Sequence, residues 1–316
     1  MRSVCVVGLG LIGGSVLRAA AAAGRVTWGA TASTADAAAA REDGHDVVDL
    51  ASALERAHVQ DALVVVAVPL PAVEEVLRAL PEGIRLTDVV SVKGPVDDLV
   101  HRVAPHARYV GGHPMAGASA SGWAAGRADL FDGAAWVVTA EDDADQDVLT
   151  DVIELALDAN AHVVPTSAAE HDAAVARISH LPHLLAAVLA SVGADGGPLA
   201  LSLAAGSFGD GTRVAGSRPE LVRAMCEGNR GALLDAVDDA LGRLGAARGS
   251  LASTGGLAKT IDAGHTARLA LENQPAHTDL TIDLTAPDAR QALRDLGSRG
   301  GRVVGLNGTT ALARTP

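Results

Sequence analysis

The chain has 316 residues, too many for one ordinary core, so two domains are the prior. Nearly half the residues are apolar, yet only 2% are aromatic, so Val, Leu, Ala and Ile must fill the cores. A net charge of −13 with no Lys/Arg cluster argues against nucleic acid and anionic membrane as partners. Only Lys93 and Lys259 are lysines, so where Lys93 sits carries weight.

Residues Ser3 to Val7 form a short apolar run that ends in Gly8, and an Ala-rich helical stretch, Leu11 to Ala23, follows. Val26 to Ala30 reads as a second strand and Thr34 to Glu42 as a second helix. Leu63 to Val68 is a continuous β-branched run, which suits a parallel strand buried on both faces. Helix is expected over Pro71–Leu80 and Pro95–Val103, and strand over Leu86–Val90 and Tyr109–Gly111. Ala135–Thr139 and Ala161–Pro165 read as strands flanking a helix at about Gln146–Leu157. Strands alternating with helices mean an α/β domain with a Rossmann-like, doubly wound parallel sheet. Its expected span is 1–166.

After Thr166 the pattern turns helical: Ala168–Val192, broken only by Pro182, then Pro198–Phe208, Pro219–Glu227 and Gly231–Ser250. An all-helical domain over 167–272 is expected to bury its apolar faces on a second copy, making a homodimer. Residues 273–316 read as a short β-α-β-like extension: strand Asp279–Leu284, helix Asp288–Leu296, strand Arg302–Gly305. The longest apolar runs, such as Leu63–Leu70, fall short of the ~20 residues of a membrane span. No signal peptide is visible, and Cys5 and Cys226 read as reduced thiols, so the expected compartment is the cytoplasm.

Gly8-Leu9-Gly10-Leu11-Ile12-Gly13 is a G-x-G-x-x-G string between a strand and a helix, the context that marks a dinucleotide cradle. Gly8 makes the tight turn, Gly10 lets a pyrophosphate approach the backbone, and Gly13 lets the helix pack on the strand. Phosphates then meet the free N–H groups of the helix start. The cofactor-binding candidates are Gly8, Gly10, Leu11, Ile12 and Gly13, with Thr31 and Pro69. Thr31 stands where an NAD site wants Asp or Glu. Without that acid nothing repels a 2′-phosphate, and Thr31, Ser33 and Thr34 could bond to one, but no Arg stands nearby. The cofactor is therefore NAD or NADP, with a tilt to NADP or dual use. Asp36, in the following helix, is the alternative ribose ligand.

Ligands of an open parallel sheet gather outside the carboxyl ends of its strands. Two segments are expected there: Asp88-Val89-Val90-Ser91-Val92-Lys93-Gly94, and Gly111-Gly112-His113-Pro114-Met115-Ala116-Gly117. The second sets a histidine among glycines and a proline in a loop. In the helical region Glu170-His171-Asp172 precedes Ser179-His180-Leu181-Pro182-His183. His180 and His183, three apart, could share a helix face, and Pro182 should kink the helix. They lack a third partner at zinc spacing, so no metal is expected. Arg213 is expected in a glycine-broken turn, Gly206 to Ala215, beside Asp210 and Thr212.

These stretches, GLGLIGGS, SVKG, GGHPMAG, EHD with SHLPH, and GDGTRVA, resemble the prephenate/arogenate dehydrogenase family over roughly residues 3 to 270. The resemblance implies oxidative decarboxylation of prephenate, or alternatively of arogenate, in tyrosine biosynthesis, with a small-molecule substrate and NAD(P). It implies that His113 is the catalytic base, and that Ser91 orients the hydroxyl and the histidine. It implies that Arg213 grips a substrate carboxylate, that Asp210 positions that segment, and that His183 sits near the substrate. Lys93 would lend positive potential to a dianionic substrate. Ser119 stands where many members carry a Glu at the site entrance. Two rivals are another hydroxy-acid dehydrogenase, which would not need SHLPH or GDGTR, and a non-catalytic NAD(P)-binding regulator, which would not need His113, Ser91 and Arg213 together.

Overall fold

The computed structural model describes residues 1–118, 120–273 and 276–316. Ser119 lies outside the described residues. The chain divides into two compact units, Met1–His171 with Thr278–Thr315, and Asp172–His277.

The first unit begins with five strands: β1 (Val4–Val7), β2 (Thr27–Ala30), β3 (Leu63–Val66), β4 (Arg85–Asp88) and β5 (Arg108–Val110). All pair in parallel, in the order β2-β1-β3-β4-β5. The connections carry α1 (Leu11–Ala22), α2 (Thr34–Glu42), α3 (Leu50–Val59), α4 (Leu70–Arg78) and α5 (Gly94–Val103). Helix α3 escaped the sequence reading although Leu50, Ala53, Leu54 and Ala57 fall at i, i+3, i+4 and i+7; Asp49 starts it by accepting the Ser52 N–H at 3.0 Å. The β-branched runs are buried on both faces because neighbouring side chains point opposite ways. Val4, Val6, Leu63 and Val65 enter one core, and Cys5, Val7, Val64 and Val66 the other.

The strands that follow do not extend this sheet. The short β6 (Gly112–Pro114), then β7 (Ala135–Thr139) and β8 (His162–Thr166) with α6 (Gln146–Asp158) between them, start a second sheet. With β9 (Thr278–Asp283), β10 (Arg302–Asn307) and β11 (Thr310–Thr315) from the C-terminal segment, its order is β6-β7-β8-β10-β11-β9. The five parallel strands form the expected Rossmann-like sheet, and the later strands, expected to continue it, form a mixed six-stranded sheet instead. In that sheet β7 and β8 pair in parallel, while β6 on β7, β10 on β8, β11 on β10 and β9 on β11 are antiparallel. The C-terminal segment folds onto this first unit through β9 (Thr278–Asp283), α14 (Ala289–Ser298), β10 (Arg302–Asn307) and β11 (Thr310–Thr315). Strand β11 escaped the sequence reading. It returns from a turn at Gly308, whose φ of +58° suits glycine.

Helix α7 (Ala168–Val175) passes through a π turn at Ala176–His180 into α8 (Leu181–Asp195). Pro182 offers no N–H to the carbonyl one turn back, and the wider turn accommodates that loss. The expected helix Pro198–Phe208 is two, α9 (Gly197–Ser202) and α10 (Gly206–Thr212). A 3-10 turn, Arg213–Gly216, then leads to α11 (Pro219–Gly228), α12 (Arg230–Ser253) and α13 (Ala258–Glu272). Arg213 therefore opens a short helical turn, and Asp210 lies within α10. In this unit Leu184, Leu185, Val188, Leu189 and Val192 on α8 are all exposed. Within the helical stretch Ala168–Asp195 an 18-residue window reaches a mean hydropathy of 1.4, so the stretch is long and apolar enough to cross a membrane by length and composition. The apolar runs thus understated this segment, because helical stacking joins apolar residues that polar ones separate in sequence.

Candidate active site

The five parallel strands each end at a candidate residue. In sheet order, Thr31 follows β2, Gly8 follows β1, Pro69 follows β3, Ser91 lies beyond β4, and His113 lies beyond β5. At ~4.8 Å per strand the row spans roughly 19 Å.

The cradle fits a pyrophosphate. Gly8 has φ +100°, and a Cβ there would meet the Ala67 carbonyl at 2.5 Å. A Cβ on Gly13 would stand 1.9 Å from the Gly8 oxygen, so only glycine lets α1 start this close to β1. Around Gly10 the space is open. Helix α1 starts without a side-chain cap and without an acidic residue in its first turn, so its free N–H groups face that space undiluted. Leu11 and Ile12 are half-buried in that turn, and Pro69 caps α4.

At the other side of the cradle, the Thr31 hydroxyl accepts the Ser33 N–H at 3.3 Å, and the Ser33 hydroxyl accepts the Asp36 N–H at 3.2 Å. The Asp36 carboxylate is turned to Trp123, whose backbone N–H it accepts at 2.8 Å. Trp123 is held by the Asp43 carboxylate on its indole N–H at 2.7 Å and by the Arg18 guanidinium 3.5 Å from its ring centre. These bonds hold the Asp43 carboxyl below its usual range, with the indole N–H the largest cause.

Beneath the segment between β4 and α5 lies a buried charge cluster. Lys93 is fully buried, donates to the Asp88 carboxylate, and donates to the Gly112 carbonyl at 2.6 Å. Asp88 also accepts the Val90 N–H at 2.7 Å and the Tyr109 hydroxyl at 2.6 Å. The expectation that Lys93 lends positive potential to a substrate is corrected, because Asp88 neutralises it where it sits. Its position instead ties Ser91 and His113 together through the backbone: one end of the tie is two residues from Ser91, the other is the residue before His113.

His113 is not in a loop; it is the middle residue of β6, paired with Val137 of β7. Its Nδ1 lies 2.8 Å from Nε2 of His171, with the rings nearly perpendicular at 77°. His171 is 3% exposed. Ser91 is half-buried and its side chain makes no hydrogen bond to another described residue, whereas His113 has His171 within hydrogen-bond distance. His171 lay in view in the EHD stretch but was assigned no role. The available signal was the S-x-x-E spacing of Ser167 and Glu170, a capping box that puts residue 171 in the first turn of a helix.

In the helical unit His180 and His183 do not act as a pair. His180 is buried, with Nδ1 3.1 Å from the Asn229 amide, which itself donates to the Asp172 carbonyl at 2.7 Å. His183 is half-buried and donates from Nδ1 to the Ser179 carbonyl at 2.8 Å, which leaves Nε2 as its second nitrogen. The side chains of Arg213 and Asp210 are exposed and make no hydrogen bond or ion pair among the described residues. No group of three metal-binding side chains forms among the described residues.

Family profiles match two stretches: the prephenate dehydrogenase nucleotide-binding domain over residues 14–165, and the prephenate dehydrogenase dimerization domain over 167–255. A prephenate dehydrogenase of Bacillus subtilis is 36% identical over 251 residues, covering 75% of this chain and 67% of that one. The chain thus spans about two thirds of that relative's length. A cyclohexadienyl dehydrogenase of Zymomonas mobilis is 30% identical over 293 residues, covering 86% of this chain and 96% of its own. A crystal structure of a candidate prephenate dehydrogenase from Corynebacterium glutamicum superposes with a TM-score of 0.88 at 43% identity, covering 95% of this chain and 98% of that one.

Proposed function

We propose that this chain, which belongs to the prephenate dehydrogenase family, oxidatively decarboxylates prephenate to 4-hydroxyphenylpyruvate. It is an NAD(P)-dependent oxidoreductase. The observation that carries the substrate reading is the row of strand ends, with the phosphate cradle at Gly8 and a half-buried histidine two strands beyond Pro69. The nucleotide would lie along that row, its adenosine end toward Thr31 and its nicotinamide end toward His113.

When bound, NAD(P) accepts a hydride from C4 of the substrate ring. Nε2 of His113 takes the proton of the C4 hydroxyl as the carbon–oxygen bond gains double-bond character. The C–C bond to the ring carboxylate then breaks, carbon dioxide departs with that carboxylate's atoms, and its bonding pair completes the aromatic ring. A positioned base of this kind contributes roughly 10²–10⁴-fold. Ser91 donates to the same hydroxyl oxygen and holds it at the base. Arg213 takes a substrate carboxylate as a bidentate pair, a geometry lysine cannot offer. His183 presents Nε2 to the substrate, and Asp210, one turn before Arg213 on the same helical segment, meets the substrate beside it.

The protein acts as a homodimer in the cytoplasm, with the exposed Leu and Val face of α8 covered by a second copy. The deciding experiment is a four-way assay of prephenate and arogenate, each with NAD and NADP. Turnover of prephenate above arogenate supports the proposal; turnover of arogenate alone assigns the amino-acid substrate instead, and turnover of neither rejects both.

A further inference from the structure

We infer that His171 is a positioning residue that selects the tautomer of His113 required of a base. The inference rests on the reading of His113 as that base. Two imidazole nitrogens 2.8 Å apart share one proton between them. If His113 is to receive a proton on Nε2, that nitrogen must start bare, so the ring's own proton must sit on Nδ1. Nδ1 then donates to Nε2 of His171, which in turn must carry its own proton on Nδ1. The contact thus couples the two tautomers, so that a proton held on Nδ1 of His171 keeps the other on Nδ1 of His113, and it aims Nε2 of His113 away from α7. When the hydroxyl proton arrives, His113 becomes an imidazolium, and the same contact becomes a charge-assisted bond to a neutral acceptor, which is stronger than before. The extra strength appears only as the proton moves, which is where it lowers the barrier.

His171 is built to stay in place. Ser167 and Glu170 form a reciprocal cap, with the Glu170 N–H on the Ser167 hydroxyl at 3.2 Å and the Glu170 carboxylate accepting the Ser167 hydroxyl at 3.0 Å and N–H at 3.3 Å. These bonds hold the Glu170 carboxyl below its usual range. Glu141 accepts the Ala168 N–H at 2.6 Å, and the His171 N–H closes the first turn on the Ser167 carbonyl at 3.0 Å. The side chain that emerges is almost wholly buried, so its ring has little freedom to turn away.

The test uses two variants and one spectrum of the whole protein. His171→Leu keeps the bulk but removes the acceptor; kcat should fall roughly 10- to 100-fold, with KM for prephenate and nucleotide changed less than about threefold. His171→Gln places an amide oxygen near the lost Nε2 and should bring kcat back to within about fivefold of wild type. The ring-nitrogen NMR shifts of His113 in the wild type should report the Nδ1–H tautomer. A His113 protonated on Nε2 overturns the inference, as does equal loss in the Leu and Gln variants. Loss of turnover in His113→Asn without loss in His171→Leu overturns it while the base reading stands. Full turnover in His113→Asn overturns both.

Discussion

The candidate site residues of the two units are held in different ways. In the first, polar side chains near the strand ends are paired with one another: Lys93 with Asp88, Asp88 with Tyr109, His113 with His171. In the helical unit, Arg213 and Asp210 stand exposed, and so does a face of Leu and Val on α8. A buried pair holds a backbone in one place, whereas an exposed guanidinium keeps its hydrogen-bonding capacity for something that arrives. The first unit holds its candidate residues preformed, and the second leaves Arg213 and the apolar face of α8 uncovered.

The largest effect should come from breaking the sunk pair. Lys93→Ala leaves the Asp88 carboxylate buried without its cation, which costs about 3–5 kcal/mol. Denaturant unfolding would show it as a lower midpoint; a loss below about 1 kcal/mol would mean that water or a neighbour replaces the lysine.

Next in size is Arg213. Removing one partner of a desolvated pair costs about 2–5 kcal/mol, so Arg213→Ala should raise KM for prephenate roughly 30-fold to a few thousandfold. An unchanged KM would place the carboxylate elsewhere and remove the contrast between the units.

The exposed face of α8 gives a third test. Light scattering should report twice the 31.7 kDa chain mass at micromolar concentration, and Leu189→Glu should shift it toward the monomer. A wild-type monomer would leave that face unexplained by self-association.

The smallest expected effect is at the end of β2. Thr31→Asp should move the cofactor preference toward NAD by at least about tenfold, which needs only ~1.4 kcal/mol. The carboxylate can accept both ribose hydroxyls of NAD and repels a 2′-phosphate. Comparing kcat/KM for both cofactors decides it; a wild type that already prefers NAD strongly and a mutant that changes nothing would mean that Thr31 does not face the ribose.

The same contrast explains what could be read in advance. The β-branched strands and the glycine cradle were legible because their period and their local order are properties of contiguous sequence. The cradle needs only six neighbouring residues, Gly8 to Gly13. The second sheet was not legible, because β6 is three residues long and the strands after residue 277 join it from far away in the chain. The role of Lys93 was misread for a related reason: its partner Asp88 is five residues away, but burial, not spacing, decides whether two such groups neutralise each other. His171 was visible in a motif, yet the contact that gives it meaning spans 58 positions. Pairings of that separation leave no local trace.

The claim on which the account turns is that His113 is the base of an oxidative decarboxylation. The direct measurement is turnover of prephenate by the wild type and by His113→Asn, following reduced nucleotide and carbon dioxide together. The account predicts equal amounts of the two products from the wild type, and in the variant a kcat lower by roughly 10²-fold or more with nucleotide binding retained. Near-normal turnover in His113→Asn, or nucleotide reduction without release of carbon dioxide, would contradict it.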